Sequence, residues 1–330
     1  MKLQVPFIQL PIRFDAERMA SEVHALGDEV WRPHPQGFAG NFSLPLISVE
    51  GDPESDSIAG PMRPTRSLES CQYLQQVLGR LGAVWGRTRL MKLAGGAEVT
   101  PHADIKYYWR DRVRVHVPII TNPAVRFICG EAEVNMAQGE CWIFDTWRPH
   151  RVINPAASER VHLVADTVGS ELFWDMAARG RAPGLGSSNG WLAEEFADGA
   201  IVRGQTKLDL ESVNVPQVMT PWELRDHLQF ILTQVKPHPQ LAVVQRQAAR
   251  FISGWQALWA CYGEARDGWP AYREALNRFA RDMEMQATSL LLVNGMRFMD
   301  TLRSMVLSVA LADGSGEFSS GQSRASAKAT

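Results

Sequence analysis

The stretch TPHADIKYYWRDRVRVHVPI, residues 100–119, decides the fold, because it places charged and imidazole side chains inside a run with β-strand alternation. Residues two apart in a strand point to the same face. One face of this run therefore carries Arg112, Arg114 and His116, and the opposite face carries valines. The polar face either points to water or lines a pocket. Arginine favours the pocket, since its planar guanidinium binds carboxylates in a bidentate manner.

The same pattern recurs later in a β-rich region. Arg160, His162 and Asp166 share one strand face, opposite apolar residues. Short β-rich runs separated by turns extend from about residue 85 to residue 168, which is typical of a β-sandwich or barrel. Before this region, Ser67 is predicted to cap a helix that follows a loop rich in Gly and Pro.

The chain becomes helical beyond Thr220 and Pro221, where apolar residues recur at helical spacing to about residue 311. We predict a β-rich domain over residues 1–212, a helical domain over 213–312 and a disordered tail over 313–330. The helical domain offers no compact cluster of metal-ligating residues, so we expect it to support the β-rich domain or to form a homodimer.

The composition excludes several classes of protein. The 330 residues are 45% hydrophobic with a net charge of −2, which argues against a nucleic-acid binder. No segment is typical of a signal peptide or a membrane span, so no membrane association is expected. The scattered cysteines contain no Cys-x-x-Cys motif and favour reduced thiols in a cytoplasmic protein. They are Cys71, Cys129, Cys141 and Cys261.

A candidate metal site starts at His102 and Asp104, which share a face if their segment is extended. His150, on a later predicted strand, is a candidate third ligand. Two histidines and one carboxylate are the facial triad of non-haem Fe(II) oxygenases, which leaves coordination positions open. The alternative is a hydrogen-bonded His–Asp pair without a metal.

The ordered motifs of the β-rich region point to a family. They are the His-x-Asp at His102, the Arg-x-His at Arg114, the run GECWIFD at 139–145, His150 with Asn154, and the Arg-x-His-Leu at Arg160. This series resembles the aspartyl/asparaginyl β-hydroxylase family of 2-oxoglutarate oxygenases. Within that family it is most similar to bacterial amino-acid hydroxylases such as the L-proline cis-4-hydroxylases.

The resemblance implies a double-stranded β-helix, or jelly-roll, with flanking helices and an all-helical C-terminal domain. His102, Asp104 and His150 would hold Fe(II), and Arg160 would pair with the distal carboxylate of 2-oxoglutarate. Arg114 and His116 would also lie against this cosubstrate.

The implied reaction uses O2 to hydroxylate an unactivated C–H of an amino acid, free or in a small peptide, with release of succinate and CO2. Ascorbate is expected to help in vitro. The animal aspartyl hydroxylases lack the carboxylate ligand and carry a serine where this chain has Met91, so their peptide substrate is not carried over.

Other candidate residues have competing interpretations. Trp147, in the loop before His150, is a candidate wall of the substrate pocket, and Arg63 and Arg66 are candidates for gripping a substrate carboxylate. Loop arginines are more often solvated. Asp145 and Asn154 either orient His150 or cap turns.

Two other functions stay open at this stage. One is a catalytically silent jelly-roll that binds a small anion or a protein partner. The other is a zinc-dependent hydrolase, since three protein ligands plus water is also a catalytic zinc pattern.

Overall fold

The computed structural model describes residues 1–34, 37–185, 190–196 and 207–312, so the predicted tail lies outside the described residues. The chain divides into two units. The first, mainly β, comprises Met1–His102 and Asp111–Asn214, and the second comprises Ala103–Arg110 and, among the described residues, those from 215 to 312. The sequence placed one boundary after residue 212. The structure places it after Asn214 and also groups the short segment Ala103–Arg110 with the helices.

The strands, numbered in chain order, belong to the first unit. They are β1 (Phe7–Arg13), β2 (Arg32–Pro33), β3 (Asn41–Val49), β4 (Met62–Pro64), β5 (Val84–Leu93), β6 (Glu98–His102), β7 (Val113–Ile120), β8 (Arg126–Cys129), β9 (Ala132–Val134), β10 (Glu140–Phe144), β11 (His150–Ile153), β12 (Arg160–Gly169), β13 (Glu194–Glu195) and β14 (Asp209–Leu210).

The helices, also numbered in chain order, fall in both units. They are α1 (Ala16–Ala25), α2 (Arg66–Glu69), α3 (Gln72–Leu81), α4 (Tyr107–Arg110), α5 (Glu171–Ala178), α6 (Pro221–Thr233), α7 (Leu241–Tyr262), α8 (Trp269–Ala287) and α9 (Phe298–Leu302). A short 3-10 helix spans Arg266–Gly268, and a π-helical turn follows α9 at Arg303–Leu307.

Two sheets form the β-rich unit. The larger sheet has the order β13-β1-β10-β7-β12-β5-β3-β2. In addition, β4 pairs with β3 and β14 pairs with β5. The smaller sheet has the order β6-β11-β8-β9. Pairing is antiparallel except for the two-residue strands β13 and β14. This arrangement confirms the predicted double-stranded β-helix with flanking helices.

Both faces of the central strands are buried, which decides between the two interpretations of the polar face. The valine face of β7 packs in a core with apolar residues of α1, α3 and α5. On the opposite face, the exposed fractions of Arg114 and His116 are 6%, and those of Arg160 and His162 are 3% and 1%. The polar face therefore points inward rather than to water.

The helix predicted to start at Ser67 is divided into α2 and α3, and the cap of α2 is Thr65. The Thr65 side chain accepts a hydrogen bond from the Leu68 backbone N–H. The N-terminus of α3 is capped by the carboxylate of Glu22, which accepts from the backbone N–H groups of Tyr73 and Leu74. A cap from a residue so distant in sequence is invisible to local pattern analysis.

The helical unit buries the apolar faces that its sequence predicts. Leu224, Leu228 and Ile231 of α6 are buried, and the rings of Phe251 and Phe279 stack at 4.1 Å between α7 and α8. Among the described residues, no helix combines the length and apolar character needed to cross a membrane. The homodimer predicted through this region stays a prediction.

The segment Ala103–Arg110 is fastened to α6 within the helical unit. The Tyr107 hydroxyl donates to Glu223 Oε1 at 2.6 Å, and Arg110 Nη2 donates to Asp226 Oδ2 at 2.8 Å. The Arg110 guanidinium also lies 4.3 Å above the ring of Phe230. These contacts explain why a segment that interrupts the β-rich unit groups with the helices.

Two glycines allow a matched test of the turns between strands. Gly139 has φ +77° and its added Cβ would lie 2.2 Å from the Phe14 carbonyl oxygen, whereas Gly96 has φ +71° with nothing within 4 Å. We expect Gly96→Ala to cost about 1–2 kcal/mol from its left-handed backbone alone. Gly139→Ala should cost more, because a backbone clash is added. Urea unfolding midpoints measure both, and equal midpoints would contradict the tight packing at Gly139.

Candidate metal centre

The two candidate histidine ligands lie on neighbouring strands of the smaller sheet. His102 is the last residue of β6 and His150 is the first of β11, and the two are paired in register. Their ring centroids are 4.2 Å apart. Asp104 follows His102 by two residues, and one ligand atom from each of the three side chains lies within 4.8 Å of the others. The structure thus brings together the three residues that the sequence suggested.

Backbone carbonyls fix the orientation of both imidazoles. His102 Nδ1 lies 2.7 Å from the Thr100 carbonyl oxygen, and His150 Nδ1 lies 2.9 Å from the Arg148 carbonyl oxygen. Because a carbonyl oxygen can only accept, each Nδ1 carries a proton. In its neutral form each ring can therefore bind a metal through the lone pair of Nε2.

Asp145 supports His150 through the turn that precedes it. Its two carboxylate oxygens accept from the Trp147 backbone N–H at 3.0 Å and from Arg148 Nε at 2.9 Å. The same Arg148 provides the carbonyl that holds His150. These contacts support the interpretation that Asp145 orients His150. Asp145 does so indirectly, by holding the turn that contains Arg148.

Asn154 is placed differently. Its side-chain amide donates to the carbonyl oxygens of Leu93, Ala94 and Ser158, and its backbone N–H donates to the Ala97 carbonyl. These contacts tie the β5–β6 turn to the β11–β12 loop, which agrees with turn capping.

The donor set fits a ferrous ion. Two neutral imidazole nitrogens and one carboxylate oxygen form the facial arrangement of non-haem Fe(II) sites and leave positions for small ligands. The exposed fractions of His102, Asp104 and His150 are 3–4%, so water has little access to them. The residues present therefore fit the metal that the resemblance implies.

A cavity between the two sheets opens beside the histidines. Its apolar walls include Phe38, Phe127, Phe144 and Val164. Its polar lining consists of His34, Asn41, Arg89, Arg114, His116 and Arg160, besides His102 and His150. The polar faces of β7 and β12 thus meet the candidate metal ligands in one cavity.

The arginines of this cavity differ in their partners. Arg114 Nε donates to Asp166 Oδ1 at 2.9 Å, and Arg87 lies 3.8 Å from the other oxygen of the same carboxylate. Arg160 Nη2 donates to His162 Nδ1 at 2.6 Å. Arg89 makes no hydrogen bond or ion pair with any residue that the structure describes, although its exposed fraction is 6%.

The charges in the cavity are predominantly positive. Burial lowers the pKa of Arg160 to about 9, and burial with the nearby Arg87 and Arg114 lowers the pKa of Arg89 to about 9. Both guanidinium groups stay cationic at neutral pH. Burial, followed by the effect of Arg160, keeps the pKa values of His116 and His162 well below the usual range. The cavity therefore attracts anions through its arginines rather than its histidines.

Three of the residues suggested for substrate binding lie elsewhere. Trp147 is buried in the turn before His150 and is not among the residues that line the cavity. Arg63 is largely exposed and pairs with Glu50 at 2.8 Å, and Arg66 is exposed at the start of α2. The structure does not bring these two arginines to the metal ligands. Arg112, which the sequence grouped with Arg114 and His116, is not among the residues that line the cavity and forms an ion pair with the buried Glu211 at 2.7 Å.

Sequence reasoning overlooked Arg89, His34 and Phe38. Arg87 and Arg89 repeat on β5 the Arg-x-Arg spacing noted at Arg112 and Arg114, so a signal for Arg89 was present. β5 pairs with β12, and Arg89 lies opposite Val164 of the cavity wall. His34 and Phe38 come from an irregular segment in which no periodicity marks an inward side chain.

Two histidines at strand ends of a double-stranded β-helix, with a carboxylate two residues after the first, are typical of mononuclear non-haem iron oxygenases. Residues 62–169 match the model of the aspartyl/asparaginyl β-hydroxylase family. The resemblance found in the sequence is thereby confirmed for this segment, which contains all three candidate ligands together with Arg114 and Arg160. The family match over residues 62–169 and the geometry of the three candidate ligands support a 2-oxoglutarate-dependent hydroxylase that uses Fe(II), 2-oxoglutarate and O2.

Solved structures show a similar fold at low identity. A 2OG-Fe(II) oxygenase family oxidoreductase from Burkholderia pseudomallei is 15% identical, with a TM-score of 0.39 over 50% of this chain and 85% of its own. A Pseudomonas putida prolyl-4-hydroxylase is 16% identical, with a TM-score of 0.33 over 50% and 92%.

A prolyl hydroxylase from Trichoplax adhaerens, in complex with a peptide fragment of the hypoxia inducible factor oxygen degradation domain, is 14% identical, with a TM-score of 0.36 over 52% and 87%. No curated protein sequence matches the chain. The assignment therefore depends on the family match and the site geometry, not on these distant structures.

Loss of the carboxylate ligand should remove the metal. We expect Asp104→Ala to weaken Mn(II) binding by at least roughly 100-fold. Changing residues that only hydrogen-bond to metal ligands already weakens metal binding about 10- to 100-fold. Iron-dependent succinate formation should disappear. The matched control is Asp111→Ala, an exposed carboxylate on the same segment of chain. Metal affinity equal to that of the wild type in Asp104→Ala would remove Asp104 from the ligand set.

The turn held by Asp145 should affect metal affinity, although Asp145 itself is not a ligand. Asp145→Asn keeps the size of the side chain but removes the charge that binds Arg148, so we expect about tenfold weaker Mn(II) binding. Glu50→Gln breaks an exposed acid–arginine pair of similar length and serves as the control. Calorimetry measures both, and identical losses in the two variants would refute a specific role of this turn.

Proposed function

We propose that the protein hydroxylates an unactivated C–H of a small substrate that carries a free carboxylate, as an amino acid does, and releases succinate and CO2. The observation that carries this proposal is Arg89. Its buried side chain lines the cavity beside the candidate metal ligands and forms no hydrogen bond or ion pair with a described residue, although the charges of Asp166 and Asp56 act on it from further away. A buried cation of this kind is costly unless an anion pairs with it.

His102 and His150 would hold Fe(II) through Nε2, and Asp104 through its carboxylate. Bound iron, together with 2-oxoglutarate and O2, supplies the oxidising chemistry of this class. The chain itself orients the ligands through the Thr100 and Arg148 carbonyls and restricts water through the aromatic walls at Phe127 and Phe144.

Arg160 is the proposed partner of the distal carboxylate of 2-oxoglutarate. Its one hydrogen bond to a described residue goes to neutral His162, so its positive charge is not cancelled by an acid. Arg114 and His116 lie in the same cavity and are proposed to contact the cosubstrate. The charge of Arg114 is already shared with Asp166, which makes it a weaker anion partner than Arg160.

Arg89 is then available for the substrate. Its strand, β5, pairs with both β3 and β12, so the guanidinium is held on a rigid element rather than on a loop. A carboxylate can bind this fork in a bidentate manner, which would orient the remainder of the substrate. A free amino acid, or a small peptide through its terminal or side-chain carboxylate, satisfies this requirement. A cytoplasmic location is part of the same proposal, supported by the four free thiols.

The test is a mass-spectrometric screen of amino acids and small peptides for the gain of one oxygen, with Fe(II), 2-oxoglutarate and ascorbate present. For each hit, the matched probe is the same compound with its carboxylate converted to an amide, which should not be hydroxylated. The variant Arg89→Leu should lose turnover of the acid while keeping 2-oxoglutarate binding. Equal turnover of acid and amide would overturn the carboxylate requirement.

Other outcomes of the screen separate the remaining functions. Tight 2-oxoglutarate binding with no hydroxylation of any compound would favour a silent binding protein. Hydrolysis that depends on zinc and ignores 2-oxoglutarate would favour a hydrolase. Either result would overturn the proposed function.

Truncation of the proposed cosubstrate arginine should act mainly on 2-oxoglutarate. Loss of one partner of a buried charge pair costs roughly 2–5 kcal/mol, so Arg160→Ala should raise the KM for 2-oxoglutarate by about one and a half to four decades. Arg126→Ala, an exposed arginine on β8, is the control and should change little. An unchanged KM in Arg160→Ala would show that this arginine has another role.

A further inference from the structure

Arg160 and His162 form a short, buried contact on one face of β12. Arg160 Nη2 donates to His162 Nδ1 at 2.6 Å, and the exposed fractions of the two residues are 3% and 1%. Among the described residues, the Arg160 side chain hydrogen-bonds to His162 alone. The orientation of the guanidinium therefore depends on one imidazole nitrogen.

This contact determines the tautomer of His162. A guanidinium has donors but no acceptor, so His162 Nδ1 must be unprotonated and the ring proton must lie on Nε2. His116 Nδ1 lies 3.4 Å from the same nitrogen, and it can contribute a hydrogen bond there only as a donor. The two neighbours thus require the same state of His162, with its lone pair on Nδ1.

The strand geometry makes this arrangement rigid. His162 lies in the middle of the larger sheet, paired with Met91 on β5 and, directly after an irregularity in the pairing with β7, with Pro118. The opposite face of β12 packs into the main core through Val161 and Leu163. A side chain at this position has little freedom to follow a moving guanidinium, so it can only fix one orientation.

We propose that His162 is a positioning residue for the cosubstrate: its Nδ1 holds the Arg160 guanidinium in the orientation that receives the distal carboxylate of 2-oxoglutarate. This inference rests on the proposed function of Arg160. His162 does not touch the cosubstrate and acts through Arg160. The neutral imidazole accepts a hydrogen bond without cancelling the positive charge, whereas an acid at this position would compete with the incoming carboxylate.

Two variants of His162 test the proposal. In His162→Asn the amide oxygen takes nearly the place of Nδ1 and still accepts from Arg160, whereas His162→Leu has a similar size and no acceptor. Calorimetric titration of 2-oxoglutarate into the Mn(II)-loaded proteins measures binding without turnover. We expect affinity to fall about 10- to 100-fold in His162→Leu, the loss of one charge-assisted hydrogen bond, and to stay within about threefold in His162→Asn.

The control variant is Thr88→Val, which removes a buried hydroxyl from the neighbouring strand β5 and should leave 2-oxoglutarate affinity unchanged. With kinetics added, His162→Leu should raise the KM for 2-oxoglutarate while kcat at saturation stays close to that of the wild type. A merely structural role would lower stability in both variants and would not be rescued by asparagine.

Nitrogen-15 spectra of the histidine rings provide a reading that is independent of 2-oxoglutarate. The His162 signals, assigned by their loss in His162→Asn, should show an unprotonated Nδ1 and a protonated Nε2. A protonated Nδ1 would overturn the proposal, and so would equal affinities of wild type and His162→Leu. If the wild-type protein does not bind 2-oxoglutarate at all, the proposed function is overturned together with this inference. If the wild type binds it and His162→Leu binds it equally well, only the inference is overturned.

Discussion

Arg89, Arg114 and Arg160 lie buried between two sheets, and the nearby carboxylate of Asp166 forms ion pairs with Arg114 and Arg87. Positive charge in such a place is stable only with hydrogen bonds and anions close by. Burial first, and then the neighbouring charge of Arg160, lower the pKa values of His116 and His162, which keeps both rings neutral. The affinity for a dianion such as 2-oxoglutarate follows from the constraint on buried positive charge.

The arginines and the two histidine ligands come from strands whose inward side chains are polar: Arg114 and Arg160 from the buried strands β7 and β12, and the histidines from the paired ends of β6 and β11. On β7 and β12 the outward face builds the core with the helices, and the inward face builds the cavity. On β6 and β11 the inward residues are the two histidines, each held by a backbone carbonyl two residues earlier. Both the fold and the site therefore depend on strand register, and a slip of one residue would exchange core and cavity.

Much of this was accessible from the sequence because alternation is a local property. The inward faces of β7 and β12 follow from spacing, and the family resemblance united them with the His-x-Asp motif into one site. The strand expected to include both His102 and Asp104 ends at His102, so Asp104 lies beyond it. Contacts between residues distant in sequence were not accessible. Glu22 caps α3, Glu223 and Asp226 hold the segment after Asp104, and Arg89 enters the cavity from β5. Arg63 and Arg66 misled for the same reason, because nothing local shows that β4 lies at the exposed edge of the sheet.

The most direct measurement is a crystal structure of the protein with Mn(II) and 2-oxoglutarate, in which the anomalous signal of manganese locates the metal. The account predicts one metal ion bound by His102 Nε2, His150 Nε2 and the Asp104 carboxylate. It also predicts that the distal carboxylate of 2-oxoglutarate pairs with Arg160, with His162 behind that guanidinium. A metal bound elsewhere, or 2-oxoglutarate bound away from Arg160, would contradict it.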